Sequence, residues 1–231
     1  MLREIITATL QTEKSSIMEI DIKFSIGDNG LIEKMTSLFS KRCVTNNCYV
    51  SNIDGGAYAL KCLIGETVNV DELNYLTKRL DSFWGDELPK FNAVVDAENL
   101  TSIQDLINLT FNLHNHTLVT DFSDLKKIGL DSYMDIHQCI SETDKETMDF
   151  ESIGRKLIEG VGEATAYGVL YCNEQETCEV YNGKNFPAYA YTSDFVFSVG
   201  ISTVDTPNQT EWLYFPCSDV TIEKALRIPA I

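Results

Sequence analysis

The chain has 231 residues, 44% of them hydrophobic and 23% charged, the composition of an ordinary globular protein of one large or two to three small domains. Its 18 lysines and arginines against 35 aspartates and glutamates leave a net charge of −17, a field that disfavours binding to DNA, RNA or an anionic membrane and favours a basic partner. No run approaches the roughly 18 apolar residues of a membrane helix, and the opening MLREIITATLQTEK lacks the apolar core of a secretion signal.

Ile17 to Ile26 alternates, with Met18, Ile20, Ile22, Phe24 and Ile26 on one face, which predicts a strand with one wet side. Gly27-Asp28-Asn29-Gly30 breaks it, and Leu31, Ile32, Met35, Leu38 and Phe39 recur at helical spacing. Cys48–Ile53 and Ala57–Ile64 flank Asp54-Gly55-Gly56, the pattern of a tight hairpin. Residues 1–68 are thus expected to form a small β-α-β-β subdomain.

Residues 69–161 read as a central bundle of short helices. Asn69 and Glu72 form a capping pair ahead of the stripe Val70, Leu73, Leu76, Leu80 and Phe83, with Gly85 as its stop. Leu88, Phe91, Val94 and Val95 make a second stripe, and Ile103, Leu106, Ile107 and Phe111 a third, capped by Thr101 or Ser102. A β-like run at His116–Thr120 precedes a small helix from Phe122 to Ile128 stopped by Gly129, and Asp149–Ile158 ends at Gly160.

Residues 162–231 read as an antiparallel β-rich subdomain. Ala164–Cys172, Thr177–Tyr181, Phe186–Tyr191, Asp194–Thr203 and Glu211–Phe215 are rich in Tyr, Phe, Val and Thr, and Ser218 caps a last helix through Leu226. The expected class is α+β, with packed subdomains and no linker.

Charge is uneven. Residues 1–70 carry net −1, residues 71–151 net −11 and residues 152–231 net −5. The acids of the middle segment taken as an exposed partner-binding set are Asp81, Asp86, Glu87, Asp96, Glu98, Asp105, Asp121, Asp124, Asp131, Asp135, Glu142, Asp144 and Glu146. Some of them, Asp105 and Asp121 first, have helix capping as an alternative role.

Catalytic signatures are absent. There is no G-x-x-x-x-G-K-S/T loop, no G-x-G-x-x-G after a strand and no G-x-S-x-G elbow. Gly160-Val161-Gly162 reads as a helix exit. His114 with His116, and His137 with Cys139, share a two-residue spacing that lacks the paired pattern of a zinc site. The seven cysteines are odd in number and form no C-x-x-C, which reads as reduced thiols of a cytoplasmic protein. Lys41-Arg42 and Lys126-Lys127 are isolated basic pairs with no interleaved aromatics, so no nucleic-acid footprint is present. The expectation is a protein with no catalytic residue, cofactor or metal.

Five blocks in fixed order carry a resemblance: Asp71-Glu72-Leu73-Asn74-Tyr75-Leu76, Asp105-Leu106-Ile107-Asn108-Leu109, Asp121-Phe122-Ser123-Asp124-Leu125 running to Ile128-Gly129, Phe150-Glu151-Ser152-Ile153-Gly154-Arg155, and Thr165-Ala166-Tyr167-Gly168. The match they belong to covers roughly residues 45–171. The chain resembles the ArdA antirestriction family of plasmids and conjugative elements, in the branch found in Gram-positive gut bacteria. Glu211-Trp212-Leu213-Tyr214 through Ile222-Glu223-Lys224-Ala225-Leu226 resembles the continuation in longer relatives on mobile elements. The resemblance implies an elongated, mostly dimeric α+β protein that imitates duplex DNA, occupies the DNA groove of type I restriction–modification complexes and performs no catalysis. B-DNA carries about one charge per 1.7 Å, so the chain's net charge matches roughly 29 Å of duplex. The alternative is a non-enzymatic interaction module of a mobile element that keeps this fold without antirestriction activity, marked by an exposed apolar patch and weak salt dependence.

Overall fold

Ile6, Ala8 and Leu10 alternate with Thr7, Thr9 and Gln11, and a period of two sends one set into the core. The computed structural model describes residues 5–14, 16–39, 46–137, 139–173, 175–187, 197–201 and 211–215. It places these six residues in β1 (Ile6–Gln11), with the three apolar side chains fully buried. β1 lies inside a four-stranded antiparallel sheet between β2 (Glu19–Phe24) and β3 (Asn47–Gly55), and β4 (Thr67–Asn69) pairs on the far side of β3. The sequence reading found β2 and β3 but not β1.

α1 (Asp28–Phe39) follows β2, starting inside the segment expected to be a break. The expected strand Ala57–Ile64 is corrected to a 3-10 helix, Tyr58–Leu63, with Ala59, Leu60 and Leu63 buried. Ala57, Leu60 and Leu63 recur every third residue, the period of that helix rather than of a strand. Gly55 closes the end of β3 against β1: its φ is +135°, and a Cβ there would sit 2.5 Å from the Ile5 carbonyl oxygen.

α2 (Val70–Asp81) begins where the capping pair places it. The Asn69 side chain accepts hydrogen bonds from the backbone N–H groups of Asp71 (2.8 Å) and Glu72 (3.3 Å). α3 (Glu87–Glu98) and α4 (Ile103–Asn112) follow, and a 3-10 turn (Leu113–Asn115) leads into β5 (His116–Val119). Leu73, Leu76, Leu80, Phe91, Val94, Leu106 and Ile107 enter one core with Ile6, Leu10, Ile22, Phe24 and Ile53 of the sheet. That core runs across residue 68 without a break in packing.

α5 (Leu125–His137) is longer than the expected helix, and Gly129 lies inside it rather than stopping it. α6 (Glu142–Thr147) starts with a capping box between Ser141 and Asp144 that the periodicity argument passed over. α7 (Phe150–Ile158) crosses α5 at Gly129 and Gly154: a Cβ on Gly129 would lie 1.8 Å from the Phe150 carbonyl oxygen, and one on Gly154 2.1 Å from that of Leu125. Two glycines facing each other let the helix backbones touch.

The run Ala164–Cys172 resolves into two strands, β6 (Gly162–Thr165) and β7 (Gly168–Cys172). β7 sits between β6 and β5, all antiparallel, so this sheet joins residues 116–119 to residues 168–172 across the expected boundary at 161. Val119, Ile128 and Tyr171 form a second, smaller core beneath it.

Thr177–Tyr181 and the described part of Phe186–Tyr191 are corrected from strands to irregular chain. Its backbone is held by side chains instead. Asn108 Oδ1 accepts from the N–H groups of Val180 and Tyr181, both at 2.8 Å, and its Nδ2 donates to the Tyr181 carbonyl. One turn on, Asn112 makes the same two-way pairing with Cys178. Tyr181 donates to Glu72 at 2.7 Å, Tyr75 donates to the Pro187 carbonyl at 2.6 Å, and Phe186 stacks on Tyr75. β8 (Phe197–Ile201) and β9 (Glu211–Phe215) form a separate antiparallel pair. The helix expected from Ser218 lies outside the described residues. The class is α+β, with helices and antiparallel sheets.

Candidate functional site

The candidate carboxylates fall into groups that composition does not separate. Asp86, Asp96, Asp105 and Glu146 are exposed, and their side chains make no hydrogen bond or ion pair among the described residues. Asp86 opens α3, Asp96 and Glu98 lie in its last turn, and Asp105 lies in the first turn of α4 without capping it.

A second group holds backbone as well as carrying charge. Glu87 Oε2 accepts the Trp84 N–H at 2.7 Å, Asp124 the Lys127 N–H at 2.9 Å and Asp121 the Ser123 N–H at 2.8 Å. The Ser123 bonds hold the Asp121 carboxyl below its usual range. Asp144 completes the Ser141 capping box, whose hydroxyl and N–H pull its carboxyl down likewise. Glu142 pairs with Lys145 at 2.6 Å, and Glu98 meets His116 Nε2 at 3.1 Å. Asp81 is half-buried at the end of α2.

Asp135 is corrected from a surface carboxylate to a mostly buried one. Its side chain is 18% exposed, and it receives Lys90 Nζ at 2.5 Å, whose own side chain is 6% exposed. Thr117 donates to its other oxygen at 3.0 Å. Burial still pushes the Asp135 carboxyl up, against the pull of Lys90. One turn earlier, Asp131 is half-buried and also pushed up, first by burial, then by the negative charges of Asp86 and Asp124 against the pull of Lys127 and Lys90. Residues some 45 positions apart in sequence, from the start of α3 and from α5, therefore converge on one part of the surface. Lys90 is paired with Asp135, and Lys127 and Lys90 are the cations that act on Asp131.

Beside Asp86 an aromatic residue stands in water. Trp84, in the turn between α2 and α3, is 87% exposed. It rims an open cleft of about 550 Å³ formed with Ile5, Leu80, Phe83, Leu88 and Pro89. Phe83 belongs to the α2 stripe and is buried, whereas Trp84, next to it in the Phe-Trp-Gly triplet at the helix exit, lies off that stripe and faces outward.

The remaining candidate chemistry is structural. His116 is pushed down by burial and bonded to Glu98, and His137 packs on the Tyr133 ring at 4.2 Å. Among the described residues no three His, Cys, Asp or Glu side chains group as metal ligands. Cys48 is buried, and Cys62 is pushed up to about 11 by burial. Carboxylates in this setting attract cations and accept hydrogen bonds.

Two of the five blocks meet in packing. Gly129 and Gly154, from two blocks, are the residues at which α5 and α7 touch, and Asn108, from a third, holds residues 180–181. No helix among the described residues is long and apolar enough to cross a membrane. Neither a protein-family model nor a curated protein matches the chain.

Proposed function

We propose that this protein is an antirestriction factor of the ArdA type, a DNA mimic whose surface carboxylates occupy the DNA-binding groove of a type I restriction–modification complex. The reading starts from the resemblance in block order. The observation that carries it in the structure is the acidic surface where α3 meets α5 through Lys90 and Asp135: Asp86 and Asp124, just ahead of the two helices, are exposed, and Asp131 is raised first by burial and then by their charges. Exposed Asp96, Asp105 and Glu146 add to the same excess of −11 over residues 71–151. A basic groove that neutralises phosphates meets the same sign of charge here, and no catalysis or cofactor is required.

The test is competition with labelled duplex DNA for a purified methyltransferase–specificity complex. The protein displaces the duplex at low salt, and its affinity falls by about 10³ or more between 50 and 200 mM salt if six or more charges engage. Failure to displace DNA from type I complexes at low salt overturns the reading.

A further inference from the structure

Charge alone does not account for the surface next to Asp86. Soluble proteins seldom leave a tryptophan 87% exposed beside an unfilled apolar cleft, and such patches mark interaction sites. Tryptophan is also the side chain most enriched among residues that dominate binding energy, especially where a ring of other contacts excludes water. The backbone here is fixed rather than loose. Glu87 Oε2 holds the Trp84 N–H at 2.7 Å, and the Glu87 N–H donates to the Trp84 carbonyl at 3.1 Å, so the turn is tied to the first turn of α3 from both directions. The Phe83 ring beneath packs edge-on against Phe91 at 6.1 Å, which anchors the cleft floor in the main core. The indole is therefore presented on a rigid support.

The chemistry around the cleft selects its occupant. Its described lining carries no positive charge. Asp86 and Glu87 lie within a few residues of Trp84, and Asp54 precedes the Gly55-Gly56 turn whose second glycine also lines the cleft. We infer that the Trp84 cleft is a docking site for a basic protein segment that inserts an apolar side chain between Trp84 and Leu88 while its lysines or arginines meet the flanking carboxylates. This rests on the antirestriction reading for the partner's identity alone: the partner is gripped by an apolar anchor as well as by charge, and such an anchor serves an interaction module without antirestriction activity equally well.

Two probes test it separately from the antirestriction reading. The first is a synthetic peptide of alternating leucine and lysine, free of tryptophan, added to the full chain carrying Trp212→Phe so that Trp84 alone emits. Trp84 emission shifts to the blue and becomes several-fold less quenched by acrylamide, whereas a serine–lysine peptide of equal charge leaves it in water. The second is the methyltransferase–specificity complex, in competition with duplex DNA. Trp84→Ala, an exposed change checked for an unaltered melting temperature, weakens binding about ten-fold or more with the salt slope unchanged; Asp86→Asn lowers the slope instead. An unshifted Trp84 with the leucine–lysine peptide overturns the inference, as does a complex that binds Trp84→Ala as tightly as the parent. Trp84 already shielded in the free protein assigns the cleft to this chain's own residues, and shielding that grows with protein concentration assigns it to a second copy; either result overturns a basic partner. Peptide docking without binding to any complex leaves the cleft assignment standing and removes the antirestriction reading.

Discussion

Lys90 and Asp135 are the pair whose removal reports most directly on how this acidic chain holds together. With Lys90 almost wholly buried, Asp135→Asn leaves an unpaired ammonium in the interior, and one-sided loss of a buried pair costs about 3–5 kcal/mol. Lys90→Met with Asp135→Leu removes both charges and recovers most of that loss in urea unfolding. Asp131 makes a different prediction, because its carboxyl is raised rather than paired. A folded-state value above the unfolded 3.8 means the native state holds the proton more tightly. That contribution is full below 3.8 and is lost as pH rises through the raised value. Asp131→Asn is accordingly more stable than the parent at neutral pH, by less than about 1 kcal/mol given its exposure, and equal to it in acid. Thermal melts at the two pH values check the sign. None of this was legible in the sequence: a charge count treats Asp135 and Asp86 alike, and only the contact between α3 and α5 separates a buried ion pair from an exposed carboxylate.

Glycine shows the same limit at the level of elements. Gly129 reads as a helix stop because glycine commonly ends helices, yet here it is the point where α5 meets α7. Gly129→Ala tests this. In an isolated helix alanine gains about 1 kcal/mol over glycine, but in this crossing the added methyl meets a carbonyl 1.8 Å away, and the helices must separate. The variant loses about 3 kcal/mol or more in denaturant unfolding. Helices with a clear stripe or stop were readable: α2 begins at Asn69 as its spacing requires, α4 follows the stripe from Ile103 to Phe111, and α7 fills the expected span up to Ile158. β1 was missed because Thr7, Ala8 and Thr9 alternate only weakly in hydropathy. Residues 177–181 have the composition of a strand, but their hydrogen bonds go to Asn108 and Asn112, and local pattern carries no record of that distant partner.

For the whole molecule, a net charge of −17 sets two responses to salt in opposition. Self-repulsion among the acids opposes the folded state, so screening to a few hundred millimolar raises the melting temperature, by an amount that calorimetry at two ionic strengths reads directly. The same screening weakens capture of a basic partner. A chain that became both tighter-binding and more stable with salt would owe its contacts to apolar surface. The α+β class and the middle position of the acidic excess were legible from composition and periodicity. The core shared by the first sheet and α2–α4 was not, because packing across residue 68 depends on contacts between distant segments.

The sheet that joins β5 to β7 has a consequence during synthesis. His116–Val119 leaves the ribosome some fifty residues ahead of the strand that completes it, Gly168–Cys172. Throughout that interval three helices must be made while β5 carries bare amide and carbonyl groups along an apolar edge. A nascent chain paused between those points exposes a template for another chain's strand. Slower translation through residues 120–167 is therefore expected to lengthen that exposure and raise the aggregated share.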